Sequence, residues 1–75
     1  MKLRSKKESG KMFREIRVSK GLSLEQLAEK TNGEWTVSDV EMFELGNWSV
    51  SAVGFMFMCK ALEIEDPDAI LYEEL

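Results

Sequence analysis

The cationic side chains are concentrated at the start of the chain, where they could bind phosphate groups. Eight of the ten Lys and Arg residues lie within residues 1–20, whereas twelve of the fourteen Asp and Glu residues follow residue 20. The formal net charge of −4 therefore conceals a basic segment attached to an acidic body. A basic segment attracts phosphate or an acidic partner, while an acidic surface repels phosphate. The same run of charge is also typical of a solvated tail, so both interpretations stay open.

The residue types on which most catalytic and metal sites depend are scarce. The chain has no His and a single Cys, Cys59, so a zinc site lacks its usual ligands and the commonest general acid–base side chain is absent. We therefore expect no enzymatic activity, no cofactor and no metal. Cys59 cannot form an intramolecular disulfide, which favours a reducing, cytoplasmic location. No apolar stretch has the length of a signal-peptide core or of a membrane span.

Length and patterning predict one small helical domain. Apolar residues make up 44% of the 75 residues, a globular composition. The spacing of these residues predicts an all-α fold, a compact bundle of about five short helices that contains a helix-turn-helix. We assign residues 1–10 to a basic N-terminal arm, flexible in one interpretation, and residues 11–75 to the folded domain.

The first three predicted helices cover about residues 11–20, 24–31 and 36–45. Ser23 and Thr36 have the side chains of N-caps, and Gln26 stands where it completes a capping box with Ser23. The side chains expected to face the core recur at steps of three and four residues. They are Met12, Phe13, Ile16, Leu24, Leu27, Ala28, Val37, Val40, Phe43 and, in one interpretation, Met42.

Two further helices are predicted in the second half of the chain. The fourth covers about residues 51–62, and its expected buried stripe is Ala52, Phe55, Met56, Cys59 and Leu62. The additional apolar residues Val53, Phe57 and Met58 indicate either enclosure by neighbours or a dimer surface. The fifth helix is expected to begin at Pro67, capped by Asp66, and to continue to about Glu74. Its inward side chains would be Ile70, Leu71 and Leu75.

A series of short motifs extends over about residues 11–65. In order, they are Ile16-Arg17, Gly21-Leu22-Ser23, Leu27-Ala28-Glu29-Lys30, Val40, Phe43-Glu44 with Gly46, and Cys59-Lys60-Ala61-Leu62. Together they resemble the lambda-repressor-like (Cro-type, xenobiotic-response-element) helix-turn-helix family. The resemblance implies a five-helix bundle whose third helix, about Thr36 to Leu45, enters the DNA major groove, and a dimer on palindromic sites. It also implies an ion pair between Arg17 and Glu44 that joins the first helix to the end of the third.

The turn between the second and third helices departs from the family pattern. Residues 31–36 make this turn about two residues longer than usual. We expect Trp35 to pack into the space that the longer turn creates rather than to stack on a base.

The third helix departs from the family pattern in its chemistry. Val37, Ser38 and Met42 occupy positions where DNA-reading relatives mostly carry Gln, Arg, Lys, Asn or Ser, and Leu24 replaces a polar residue at the start of the second helix. Of these side chains only Ser38 can hydrogen-bond to a base edge. The remaining polar side chains of the helix include three carboxylates, which repel the DNA backbone; they belong to Asp39, Glu41 and Glu44.

Two functions are consistent with these features. In the first, the chain is a DNA-binding transcriptional regulator. Its phosphate-binding candidates are Arg4, Lys6, Lys7, Lys11, Arg14, Ser23, Asn47 and Ser49, and its base-facing candidates are Val37, Ser38, Asp39, Glu41 and Met42. In the second, the fold is a protein-interaction module that has lost sequence-specific DNA readout because its third helix is acidic. The candidate dimer or partner surface is then Trp48, Val50, Val53 and Phe57. The expected partners are thus double-stranded DNA, a second copy or another protein, without a membrane or small-molecule cofactor.

Overall fold

The computed structural model of the chain describes residues 2–48 and 51–73. This part contains five α-helices, α1 (Lys6–Ser19), α2 (Leu24–Lys30), α3 (Val37–Glu44), α4 (Ala52–Ala61) and α5 (Asp68–Leu71). Two short strands, β1 (Lys2–Leu3) and β2 (Tyr72–Glu73), pair antiparallel. The predicted bundle of about five short helices is confirmed, and the two-stranded pairing adds to it. Within the described ranges, no helix has the length and apolar character needed to cross a bilayer.

Hydroxyl side chains form the N-caps of the first four helices. Ser5, Ser23, Thr36 and Ser51 each accept a hydrogen bond from the backbone N–H three residues further on. At Ser23 and Thr36 the third residue returns the bond to the cap N–H, so that α2 and α3 both start with a capping box. Each such cap contributes about 1 kcal/mol. The predicted N-caps of α2 and α3 are therefore confirmed.

The first helix begins at Lys6, five residues before the predicted start at Lys11. Residues 2–10, which the sequence assigns to an arm, thus belong to β1, the cap and the first turns of α1. Apolar spacing misses this part of the helix because its buried residues are the small Ser9 and Gly10. A Cβ added at Gly10 would lie 2.6 Å from the carbonyl oxygen of Phe43, so a glycine lets α1 approach the end of α3.

The fifth helix ends at Leu71 rather than near Glu74, and Asp66 does not cap it. The N-terminal segment supplies the reason, because the backbone N–H of Arg4 donates to the Leu71 carbonyl at 2.7 Å. The Ser9 hydroxyl likewise donates to the Ile70 carbonyl at 2.6 Å. With these carbonyls satisfied, the chain leaves the helix and pairs as β2. Ile70 is buried and Leu71 partly buried, as expected, while Glu74 and Leu75 lie outside the described residues.

The core is built around Phe43. The ring of Phe13 meets it edge-on at 4.8 Å between centroids, Trp35 meets it edge-on at 5.3 Å, and Trp48 stacks on it at 4.5 Å. Trp35 is buried, in agreement with its expected packing role. The remaining buried apolar residues are Leu27, Ala28, Val40, Phe55, Met58, Cys59, Leu62 and Ile70.

Three predicted core residues are wrong. The buried stripe of α4 contains Met58 in place of Met56, which is 55% exposed, and Ala52 is exposed as well. Met42 on α3 is 45% exposed and does not join the core. In both helices the apolar residues outnumber the core positions, so residue type alone allows more than one buried face.

Candidate functional site

A buried ion pair sets the position of α3. Arg17 Nε donates to Glu44 Oε2 at 2.7 Å, and Arg17 Nη2 donates to Glu44 Oε1 at 3.1 Å. Arg17 Nη1 also donates to the Leu22 carbonyl at 2.7 Å. Both charged residues are less than 10% exposed, with Arg17 at 9% and Glu44 at 8%. The bidentate contact thus joins α1, the turn before α2 and the end of α3, as the family resemblance implies.

The outward face of α3 carries few hydrogen-bonding groups. Val40, Phe43 and Glu44 are buried, which leaves Ser38, Glu41, Met42 and Leu45 on the opposite side. Met42 is 45% and Leu45 is 60% exposed. This face offers one hydroxyl and one carboxylate between two apolar side chains, a poor match to the donors that read base edges.

Two of the five base-facing candidates are engaged elsewhere. The Asp39 carboxylate is exposed but accepts a hydrogen bond from the backbone N–H of Thr36 at 2.9 Å. Val37 is partly buried against the core. Ser38, Glu41 and Met42 remain directed at solvent. Leu45, which was not among the predicted base-facing residues, lies on the same face.

Three cations form a stripe along one side of α1. Lys7, Lys11 and Arg14 are exposed and recur at steps of four and three residues, which places them on one helix face. A Cβ added at Gly46 would lie 2.9 Å from Lys7 Cα, so the Lys7 end of this basic stripe borders the turn that follows α3. Asn47 is exposed in that turn.

The other phosphate-binding candidates are placed differently. Arg4 makes contacts within the domain, because its Nε donates to the Ala69 carbonyl at 3.3 Å and its Nη1 lies 3.9 Å from Glu73 Oε2. The Ser23 hydroxyl caps α2, and Lys6 is exposed on α1 beside the basic stripe. Ser49 lies outside the described residues.

An open groove of about 850 Å³ lies between one flank of α3 and the first turns of α4. Its lining includes the aromatic rings of Trp35, Phe43 and Trp48, and it is completed by Glu34, Asp39, Met42, Asn47, Ser51, Val53, Gly54 and Phe57. Both indole N–H groups are satisfied, since Trp35 Nε1 donates to the Gly54 carbonyl at 3.2 Å and Trp48 Nε1 donates to the Phe43 carbonyl at 2.9 Å. We call this feature the α3–α4 groove.

The candidate partner surface partly coincides with this groove. Val53 is 77% exposed and Phe57 is 38% exposed, as a contact surface requires. Trp48, in contrast, is half-buried and packs on the core through Phe43 and Phe55. Val50 lies outside the described residues.

Comparison with solved structures identifies several similar chains, three of which follow. The restriction-modification controller protein C.AhdI from Aeromonas hydrophila is 33% identical, with 88% of this chain and 96% of that one covered and a TM-score of 0.77. Two structures of the DNA-binding domain of BldD, one of them from S. venezulae, are each 26% identical with TM-scores of 0.77. They cover 91% and 96% of this chain and 97% and 100% of their own. The first is described as a controller protein and the other two as DNA-binding domains, not as enzymes. No protein-family model and no curated protein matches the chain.

Proposed function

This chain belongs to the lambda-repressor-like (Cro-type) helix-turn-helix family, and from that premise we propose that it is a DNA-binding transcriptional regulator that presents α3 to the major groove. The observation that carries the proposal is the buried contact of Arg17 with Glu44 and Leu22. It holds α3 against α1 and α2 with Ser38, Glu41 and Met42 facing outward. The domains of BldD, which share this fold, are DNA-binding domains.

The basic stripe supplies the attraction to the phosphate backbone. Lys7, Lys11 and Arg14 are exposed, and Lys7 stands beside the turn at Gly46, next to the C-terminal end of α3. Cations on one helix face can follow a phosphate strand, and each phosphate that they neutralise releases a counterion. Asn47, in the same turn, adds an uncharged donor.

Base readout through α3 is weak in this proposal. Met42 can contact a thymine methyl group, and the Glu41 carboxylate can accept a hydrogen bond from cytosine N4. Neither makes the bidentate contact by which Arg reads guanine or Gln reads adenine. The affinity is therefore dominated by phosphate contacts, and the preference for one sequence over another is modest.

Titration of a double-stranded DNA fragment at several salt concentrations tests the proposal. We expect the logarithm of the binding constant to fall linearly with the logarithm of salt concentration. The double variant Lys7→Gln/Lys11→Gln should flatten this slope by about 1.8, the value for two lost phosphate contacts. The control Lys30→Gln/Lys60→Gln removes the same charge from exposed positions at the ends of α2 and α4.

Two results would reject the proposal. One is the absence of DNA binding by the unmodified chain even at low salt. The other is an equal change of slope in the two double variants, which would mean that net charge alone, and not the position of the basic stripe, governs binding.

A further inference from the structure

We propose that the α3–α4 groove binds a basic amphipathic helix of another protein. This inference goes beyond DNA binding and does not depend on it, because a peptide can make the contacts on which it rests in the absence of DNA. It commits to a partner that brings apolar side chains to the floor of the groove and Lys or Arg to its edge.

The groove exposes apolar side chains that the core does not use. Met42, Val53 and Phe57 line it and remain substantially exposed, although the rings of Trp35 and Phe43 beneath them are almost fully buried. A contiguous apolar surface with a polar edge is typical of a protein contact site. A helix lays its apolar face into such a groove through side chains at steps of three and four residues.

The charge at the groove selects a cationic partner. Glu34 and Asp39 belong to its lining, Glu41 is exposed on the same helix as Asp39, and none of the lining residues that the structure describes is Lys or Arg. A cationic helix is attracted by these carboxylates, whereas the phosphates of a nucleic acid are repelled by them.

Within residues 2–48 and 51–73, a second copy of this chain offers a poor match to this groove. Its cationic helix is α1, whose largest apolar side chain, Phe13, is fully buried in its own core, so that Val18 is the one large apolar side chain that this helix exposes. The exposed stripe of Lys7, Lys11 and Arg14 is therefore basic but not amphipathic. The groove thus suits a helix from a different protein better than it suits α1 of a neighbour.

Tryptophan fluorescence provides a direct measurement. The chain contains two Trp residues, Trp35 and Trp48, and both line the groove. The probe is a synthetic peptide of about 14 residues, four helical turns, with Leu at every third or fourth position and Lys elsewhere. It contains no aromatic residue. We expect it to shift the emission of the chain saturably, and we expect the same peptide with Glu in place of Lys not to do so.

Matched variants localise the binding. Val53→Glu, in the groove, should weaken binding of the Lys peptide by at least about tenfold, while Val18→Glu, an exposed valine on α1 outside the groove, should change it by less than about twofold. Glu34→Lys should also weaken binding, whereas Glu29→Lys, which makes the same charge change on α2, should do so much less.

Several results would overturn the proposal. They are an unchanged emission with the Lys peptide, equal binding of the Glu peptide, and equal effects of Val53→Glu and Val18→Glu. Sedimentation at several concentrations tests whether a second copy of the chain occupies the groove. Self-association that Val53→Glu abolishes would assign the groove to that second copy. A single-stranded oligonucleotide that shifts the emission as strongly as the Lys peptide would assign it to nucleic acid. If the unmodified chain binds DNA but not the Lys peptide, this inference is rejected while the proposed DNA-binding function stands.

Discussion

Glu44 is an acidic residue of α3 that faces the interior, where both of its oxygens accept hydrogen bonds from Arg17. It therefore contributes no repulsion toward a ligand on the outward face. Because the pair is buried, removing one partner leaves an uncompensated charge. The pair thus holds α3 in position against α1, and the loss of stability on removing one partner measures how strongly the domain depends on it.

We expect Glu44→Ala to lower the free energy of unfolding by about 3–5 kcal/mol, measured by urea denaturation, since it strands the Arg17 guanidinium. The control Glu41→Ala, on the exposed side of the same helix, should change it by less than about 0.5 kcal/mol. The double variant Arg17→Met/Glu44→Leu should be more stable than Glu44→Ala. A loss below about 1 kcal/mol in Glu44→Ala would show that water reaches the pair.

Cys59 gives the domain a dependence on alkaline pH. Burial raises the pKa of its thiol from 9.0 to about 11, so the folded state favours the neutral form more than the unfolded chain does. The associated stability is fully present below pH 9.0 and is lost as the pH rises towards 11. We expect a fall on the order of 1–2 kcal/mol over this range. Urea denaturation across the range should show it in the unmodified chain, and the Cys59→Ala variant should lack this component. Parallel pH profiles of the two would contradict the assignment.

At the scale of elements, the contact of α1 with the end of α3 depends on a missing side chain. We expect Gly10→Ala to destabilise the domain by about 1–3 kcal/mol, because the added Cβ would meet the carbonyl oxygens of Phe43 and Glu44 at 2.6 and 2.7 Å. Alanine favours a helix over glycine by about 1 kcal/mol, so the intrinsic preference acts in the opposite direction. Thermal unfolding shows whether the steric clash or the helix preference of alanine dominates, with Glu15→Ala on the exposed side of α1 as the control. A stabilised Gly10→Ala variant would mean that the helices can separate without cost.

The caps and most of the core could be predicted from the sequence because they depend on near neighbours. The capping hydrogen bonds between Ser23 and Gln26 and between Thr36 and Asp39 are specified by the local sequence pattern. The burial of Ser9 could not be predicted in this way, since its partner is the carbonyl of Ile70. The end of α5 has the same cause, because it is determined by a hydrogen bond from the other end of the chain.

The rotation and placement of α4 are a second feature that the sequence could not predict. Arg17 and Glu44 followed from the family resemblance, but the burial of Met58 rather than Met56 depends on how α4 is rotated against Phe43 and its neighbours. The α3–α4 groove was not predicted either. The sequence identified Val53 and Phe57 as surplus apolar residues, yet only the placement of α4 beside α3 brings them next to Met42.

For the whole molecule, the two proposed ligands share a surface. Asp39, Met42 and Asn47 belong both to the candidate DNA-facing set and to the lining of the groove. We expect the Lys peptide to displace DNA from the chain in a competition titration, and the concentration for half displacement to rise when DNA is increased, since coupling between two ligands is reciprocal. Val53→Glu should abolish this displacement while leaving DNA binding in place. Simultaneous binding of both ligands would show that the two surfaces are separate.

The pairing of Lys2–Leu3 with Tyr72–Glu73 turns the polypeptide into a nearly closed ring. A short peptide linker could therefore join these two segments, and new termini could be opened at an exposed turn such as the one containing Gly33. A circularly permuted protein of this kind would keep every contact of the core while changing the order in which the helices leave the ribosome.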